Sequence, residues 1–255
     1  MELSYYQDRF EHAAISRDEA GVLVIRFHTG GDTFEWNGPP HTELPDLFAM
    51  VAADRDNRVV VITGTGDTFI AMPDPGPEML ASGIVGARYW DQIISEGNRL
   101  VGNLLAIEVP VIAAVNGPVS IHSELAVLAD VVVCSERAWF QDAAHFGKGL
   151  VPGDSMQIVW PLLLGPNRGR SFLLLGDRID AAEALRLGVI AESRPPDEVL
   201  DRALEIAAQL ATQNPLLLRN SRAVLVRPLR KAVADDLHLG LALEALAAVS
   251  GAEPE

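Results

Sequence analysis

Apolar and polar residues follow one another along this chain in blocks whose lengths separate strands from helices. Gly21–His28 and Arg58–Thr63 are β-branched runs short enough for strands, the second leading into a turn from Gly64 to Gly66. Val111–Val115 and Val131–Val133 repeat that signal. Longer stretches with helical spacing lie between them. One runs to about Ala53 with Leu44, Leu47, Phe48 and Val51 on one face. Another spans 86–107, carries Trp90, Ile93, Ile94, Leu100, Leu104 and Leu105, and ends before Pro110, as a helix usually must. Strand and helix in alternation are the order of an α/β protein.

After the turn Asn116-Gly117-Pro118 a helix-like pattern restarts, and a Gly-rich loop follows the run at Val131–Val133. Ser155–Leu164 is expected as a helix capped by Asp154 or Ser155, and Pro166-Asn167 starts another. Asp180 is the expected cap of Ala181–Leu187, with Gly188 as its end and Val189–Ala191 as a short strand. Three further helical stretches, 197–213, 215–225 and 229–249, leave only Gly251–Glu255 as a frayed end. Residues 66–80, GDTFIAMPDPGPEML, hold three prolines and read as a surface loop. The organisation expected is an α/β core over 1–193 and a helical C-terminal segment, 194–255, of the same fold.

Charge narrows the partners. With 20 basic and 35 acidic residues the net charge is −15, so the basic stripe that nucleic acid or an anionic membrane needs is missing. Cys134 is the only cysteine, which rules out an intrachain disulfide and suits a reducing cytoplasm. The opening MELSYYQDRFEHAA has no apolar signal core. Leu100–Val115, the longest apolar region, is broken by Gly102, Asn103, Glu108 and Pro110, so no membrane span is expected.

Chemistry-bearing residues gather just beyond the apolar segments, at His122, His145 and Asp154. In an α/β protein that is where side chains meet over the ends of buried strands. A neutral imidazole suits activation of water near neutral pH, and a carboxylate on its other nitrogen would fix the tautomer. The loop between His145 and Asp154 holds Gly147, Gly149 and Gly153, so it can fold back and let the two meet. Plainer readings stand beside this one: each histidine as a hydrogen-bonded structural residue, Asp154 as a helix cap, Trp36 as core packing, Glu244 as half of a salt bridge. Two histidines and a carboxylate could also form a metal triad, although the spacing is no compact ligand motif, and no metal or other cofactor is expected. No Gly-x-Ser-x-Gly elbow is present, and Gly64-Thr65-Gly66 is too short for a dinucleotide fingerprint.

RVVVITGTGDTF, IEVPVIAAVNGPV, ELAVLAD, GLVPGD and GDRIDAAEALRLGVI together resemble the crotonase (enoyl-CoA hydratase/isomerase) superfamily over roughly residues 20 to 250. The resemblance implies a ββα superhelix whose C-terminal helices build a homotrimer or a dimer of trimers. It also marks departures. Ser120-Ile121-His122 stands where hydratases carry a glycine run, and His145 falls on their second catalytic glutamate, while Glu124 keeps the first. Phe69-Ile70-Ala71-Met72-Pro73-Asp74 replaces the usual Phe-x-Ala-Gly-Ala-Asp oxyanion loop, and Pro73 has no N–H. These replacements resemble the β-diketone hydrolase branch, typified by 6-oxocamphor hydrolase, which cleaves a carbon–carbon bond between two carbonyls without CoA. The branch implies a small cyclic or bicyclic diketone as substrate and four catalytic residues: His145 as base, Asp154 as its orienting carboxylate, His122 on a carbonyl, and Glu244. Trp36 and His41 are the implied substrate-binding residues. An enoyl-CoA hydratase or isomerase using Glu124 alone, and an inert oligomeric scaffold, are the competing readings.

Overall fold

In the computed structural model of the chain, residues 1–73 and 86–250 are described. The expected proline-rich loop runs beyond Pro73 into residues outside that description, as does the expected frayed end Gly251–Glu255. Six strands form the main sheet: β1 (Ala13–Arg17), β2 (Val22–Phe27), β3 (Val59–Thr63), β4 (Val111–Val115), β5 (Val131–Ser135) and β8 (Glu192–Arg194), side by side in that order. Within this sheet, among the described residues, only the β1–β2 pair is antiparallel. The register sets Ile25 beside Ile62, Ile62 beside Ala113 and Ala113 beside Val132. β6 (Trp139–Phe140) and β7 (Ile179–Asp180) form a separate two-stranded pair.

All five residues of β3 and all five of β4 are buried, because helices cover both faces of the sheet. On one face lies α7 (Val199–Ala211). Its Val199, Ala203, Ala207 and Ala211, four residues apart, pack on Val22, Val59, Val61, Ile112, Ala114 and Val133. Three alanines in that stripe let the helix come close to the strands. On the other face α1 (Gly38–Ala53) and α2 (Ala87–Ala106) cover Leu23, Ile25, Val60, Ile62 and Ala113. Phe27 anchors this layer, with Phe34, Phe48 and Phe69 around it at ring separations of 5.2, 6.5 and 6.2 Å. Each large apolar side chain buried here is worth about 1.5–3 kcal/mol.

The remaining helices are α3 (Glu124–Val127), α4 (Met156–Leu164), α5 (Pro166–Leu175), α6 (Ala181–Arg186), α8 (Pro215–Leu225) and α9 (Arg227–Ser250). Asp180 does cap α6, its side chain accepting from the Glu183 N–H at 2.8 Å. Arg222 ties α8 to the core: it is buried, it donates to Asp130 at 2.6 Å, and Asp130 in turn accepts from the Val111 N–H at 2.7 Å. α9 crosses α2 and α4, and two glycines make that crossing possible. A Cβ on Gly153 would stand 2.2 Å from the Gly240 carbonyl oxygen, and one on Gly240 would stand 2.5 Å from that of Gly153. Backbone therefore meets backbone at this seam.

Two expectations need correction. The short strand expected at Val189–Ala191 lies at Glu192–Arg194: Val189 and Ile190 are core side chains, and the residues that pair with β5 are polar, as suits an edge strand. Asp154 and Ser155 make no side-chain cap on α4, because Ser155 takes a left-handed backbone at φ 86°. Among the described residues no helix is long and apolar enough to cross a membrane.

Candidate active site

Loops that leave the strand ends are pinned together before any functional side chain is placed. The Asn116 side chain accepts from the Gly64 N–H and donates to the Gly66 and Thr68 carbonyls, at 2.9–3.0 Å. Isolated bridges then join Ile70 to Val119 and Val119 to Phe140. From this platform the chain turns sharply at His122, whose φ of 47° is left-handed and strained for any residue with a Cβ. Its ring stacks on Trp36, centroids 3.9 Å apart and tilted by 32°. Its Nδ1 lies 2.7 Å from Glu124 Oε1 and 3.3 Å from Asp154 Oδ2.

His145 Nδ1 is 2.6 Å from Asp142 Oδ1, and its other nitrogen, Nε2, faces Asp154 Oδ2 at 3.5 Å and Glu244 Oε1 at 3.6 Å. Asp154 had been expected to hold the second nitrogen of a base whose first nitrogen met water. The carboxylate that orients the ring is Asp142 instead, three residues earlier in the same loop, and Asp154 stands beside Nε2. Asp154 is free to do so because it caps nothing: neither of its carboxylate oxygens has a hydrogen-bond partner among the described residues. Glu244 arrives from α9, carried in by the Gly153–Gly240 seam. A third imidazole, His41, is held through Nδ1 by Glu96 Oε2 at 2.9 Å, and Gln92 donates to the other Glu96 oxygen at 2.8 Å.

All six residues singled out in the sequence (Trp36, His41, His122, His145, Asp154 and Glu244) line one cavity of about 120 Å³. Met72, Tyr89, Trp90, Ile121, Leu150 and Leu241 supply apolar wall, and no lysine or arginine lines it among the described residues. Contacts run across the site in the order His145, Asp154, His122, Trp36, His41. Sequence reading missed Asp142 and Glu96. Asp142 had a signal, its spacing of three from His145. Glu96 had another, a carboxylate between Ile93 and Leu100 on the apolar side of an amphipathic helix.

Burial and charge set the protonation states. Burial opposes charge on His145, yet Asp154, Asp142 and Glu244 outweigh it and hold the imidazole well above its ordinary range. Burial takes the opposite course at His122, pushing it down to about 4 despite Asp154. Asp154 is pushed up by burial to about 7, partly offset by His145. Burial pushes Glu124, with no solvent exposure, up to about 8. Burial also raises Glu96, but hydrogen bonds from His41 and Gln92 leave it below the usual carboxylate range.

Glu124 therefore couples stability to pH. Its proton is bound in folded and unfolded chains alike below about 4.3, the ordinary glutamate value. Between there and about 8 only the folded chain keeps it, so stability falls as pH rises through that window. Glu124→Gln removes the loss. The variant should match the parent in urea at pH 4 and exceed it by on the order of a few kcal/mol at pH 9.

Backbone donors in the loop that follows β3 are already engaged. Ala71 N–H donates to the Phe34 carbonyl at 2.9 Å and Met72 N–H to Ser120 Oγ at 3.0 Å, while Pro73 has no N–H. His122, Glu124 and Asp154 offer donor atoms within 4.8 Å of one another, compact enough for a cation. The 2.7 Å approach of His122 Nδ1 to Glu124 is that of a hydrogen bond, which accounts for the compactness through a shared proton.

The family pattern described as enoyl-CoA hydratase/isomerase matches residues 17–245. A crotonyl-CoA hydratase of Syntrophomonas wolfei is 30% identical over 183 residues, 71% of this chain and 68% of its own length. A probable enoyl-CoA hydratase of Mycobacterium tuberculosis is 32% identical over 177 residues, 66% of this chain, and the match spans only 60% of that relative. Among solved structures, a β-diketone hydrolase from the cyanobacterium Anabaena sp., bound to (S)-3-oxocyclohexyl acetic acid, superposes with a TM-score of 0.93 at 40% identity. That match covers 97% of this chain and 98% of the other. An enoyl-CoA hydratase/isomerase from Mycobacterium paratuberculosis gives a TM-score of 0.86 at 27% identity, covering 96% of each chain.

Proposed function

The chain belongs to the enoyl-CoA hydratase/isomerase family, the crotonase superfamily, and on that premise we propose that it is a β-diketone hydrolase. It cleaves the carbon–carbon bond between two carbonyls of a small cyclic or bicyclic 1,3-diketone. One observation carries this reading: His145, clamped on Asp142, turns its second nitrogen toward Asp154 inside an apolar cavity. Three others support it. Glu124, the residue a hydratase would use, is fully buried against His122, and the loop amides suited to a thioester oxygen are engaged or missing. The Anabaena diketone hydrolase is also alike over nearly the whole chain.

Water between His145 Nε2 and Asp154 gives a proton to the imidazole as its oxygen adds to one carbonyl carbon. His122 and Trp36 hold the carbonyl oxygens. The adduct collapses by breaking the bond to the carbon between the carbonyls, and that electron pair passes into the second carbonyl as an enolate. The enolate carbon then takes up a proton and the product is a keto acid. His41, held on Glu96 at the far end of the contact order from His145, is the donor placed for that step, and the proton on His145 returns to it through solvent. None of these steps calls on a metal or CoA.

Purified protein should release acid from bicyclic 1,3-diketones, with or without prior dialysis against EDTA, and leave a crotonyl thioester unchanged. Thioester turnover without diketone cleavage would establish the hydratase reading in its place, and inactivity on both would leave the scaffold.

Assembly belongs to the same reading. Leu216, Leu217 and Leu225 on α8 and Leu239 and Leu246 on α9 are each more than half exposed, more apolar surface than a lone subunit usually leaves open. Light scattering at micromolar concentration should report a trimer or a dimer of trimers, and a monomer there would refute it.

A further inference from the structure

Glu124 touches no part of the cavity, since it lies wholly beneath His122. We propose that Glu124 is a positioning residue that carries its own proton, donates it to His122 Nδ1, and so fixes the imidazole as the tautomer whose Nε2–H faces the substrate. The inference rests on the diketone reading for its purpose but on geometry for its content.

A neutral imidazole has one N–H, and its two nitrogens cannot both donate. If Nδ1 donated to Glu124, Nε2 would bring a lone pair to the cavity and could not hold a carbonyl oxygen. With the proton on Glu124, Nδ1 accepts at 2.7 Å and Nε2–H is left for the substrate. The surroundings of Glu124 favour the acid. Its side chain has no exposure, and Oε2 has no partner among the described residues. A carboxylate so placed would bury charge against an empty contact, whereas a carboxylic acid leaves only a carbonyl oxygen unmet. Burial, with the charges of Asp142 and Glu244, opposes ionisation of Glu124 and outweighs His145 and a backbone hydrogen bond, which favour it. The direction of the Glu124 shift agrees.

Asp154 Oδ2 is the one competing partner of Nδ1, at 3.3 Å. Its own strongest attraction is to the His145 imidazolium, which shares that oxygen at 3.5 Å. The ring of His122 is also held where this tautomer is useful. Trp36 stacks on its face, and the left-handed backbone at φ 47° keeps a conformation for which the family's glycine run is suited. The retained family glutamate has thus moved from touching substrate to setting one histidine's proton.

Glutamine, alanine and aspartate at position 124 separate the possibilities. Glu124→Gln offers an amide N–H to Nδ1 and should keep kcat within about tenfold of the parent, a loss of under 1.4 kcal/mol. Glu124→Ala and Glu124→Asp leave Nδ1 without its donor and should lose about a hundredfold or more, with KM rising as carbonyl contact weakens. Nitrogen-15 spectra of protein labelled in its histidine rings, with the signal assigned by His122→Asn, should show Nε2 protonated and Nδ1 bare in the parent and in Glu124→Gln. A bare Nε2 in the parent would overturn the proposal. So would a Glu124→Gln variant as slow as Glu124→Ala on a diketone that the parent cleaves. Should the parent cleave no diketone, the proposed function fails while the spectrum still decides the tautomer.

Discussion

His145→Ala is expected to lower kcat on a cleaved diketone by roughly 10²–10⁴-fold, the range a positioned base supplies. The fold should survive, because the ring lies against the cavity and not among the β3–β4 strands. Asp142→Asn should approach the same loss from a different cause. An amide can turn its NH₂ toward Nδ1, which puts the ring proton on Nε2, where it blocks the base. The two changes serve one step, so the double variant should be little worse than either single one. The pH profile adds a signed check. His145 is held well above its ordinary range, so it carries its proton at neutral pH and the base form grows in only above that. Thus kcat/KM should rise with pH along a limb whose midpoint lies well above 6.5. Asp142 is among the charges that raise it, so Asp142→Asn should move the midpoint down while lowering the plateau. A His145→Ala protein with near-parental kcat would remove this histidine as base and leave Glu244 or His122 in its place.

Gly153→Ala should damage stability and activity together. The added methyl would meet the Gly240 carbonyl at 2.2 Å and Glu244 Cβ at 3.0 Å, both fixed to α9 and unable to swing away. Overpacking of this kind costs roughly 1–3 kcal/mol, sometimes more. The seam also carries Glu244 toward His145, so relief by a shift of α9 withdraws that carboxylate from the site. A lowered urea midpoint and a kcat reduced at least tenfold should appear together. Gly102→Ala is the control: it lies within α2 with nothing within 4 Å of its would-be Cβ, and it should stabilise by about 0.5–1 kcal/mol. If Gly153→Ala were as stable and active as Gly102→Ala, the seam would have no bearing on the site.

What could be read from the chain alone follows from which forces leave a periodic trace. Strands buried on both faces write unbroken apolar runs, as at Val59–Thr63 and Val111–Val115, and amphipathic helices write a repeat of three and four, as in α1 and α2. An edge strand need bury little, so Glu192–Arg194 left no apolar trace and the neighbouring core residues Val189 and Ile190 attracted the assignment. Within the site, residues unusual for their place were visible, and the six named ones share the cavity. Their partners left only a weaker trace, the spacing of Asp142 from His145 and a carboxylate on the apolar side of α2. Which ring nitrogen each of them meets depends on ring orientation, which no spacing encodes. The missing cap on α4 had the same origin: a left-handed Ser155 turned Asp154 inward against its local preference.

Asp142, Asp154, Glu124 and Glu244 crowd around two imidazoles, and this bears on the direction of traffic through the site. In the proposed reaction a diketone would enter without charge, and the keto acid made from it would be an anion born among anions. Repulsion strengthens as each proton leaves the cluster, so the product is least welcome at the alkaline pH where the base is most often free. Under that reaction, departure of product and readiness for the next substrate would be driven by one and the same loss of protons, and the site would work as a one-way valve.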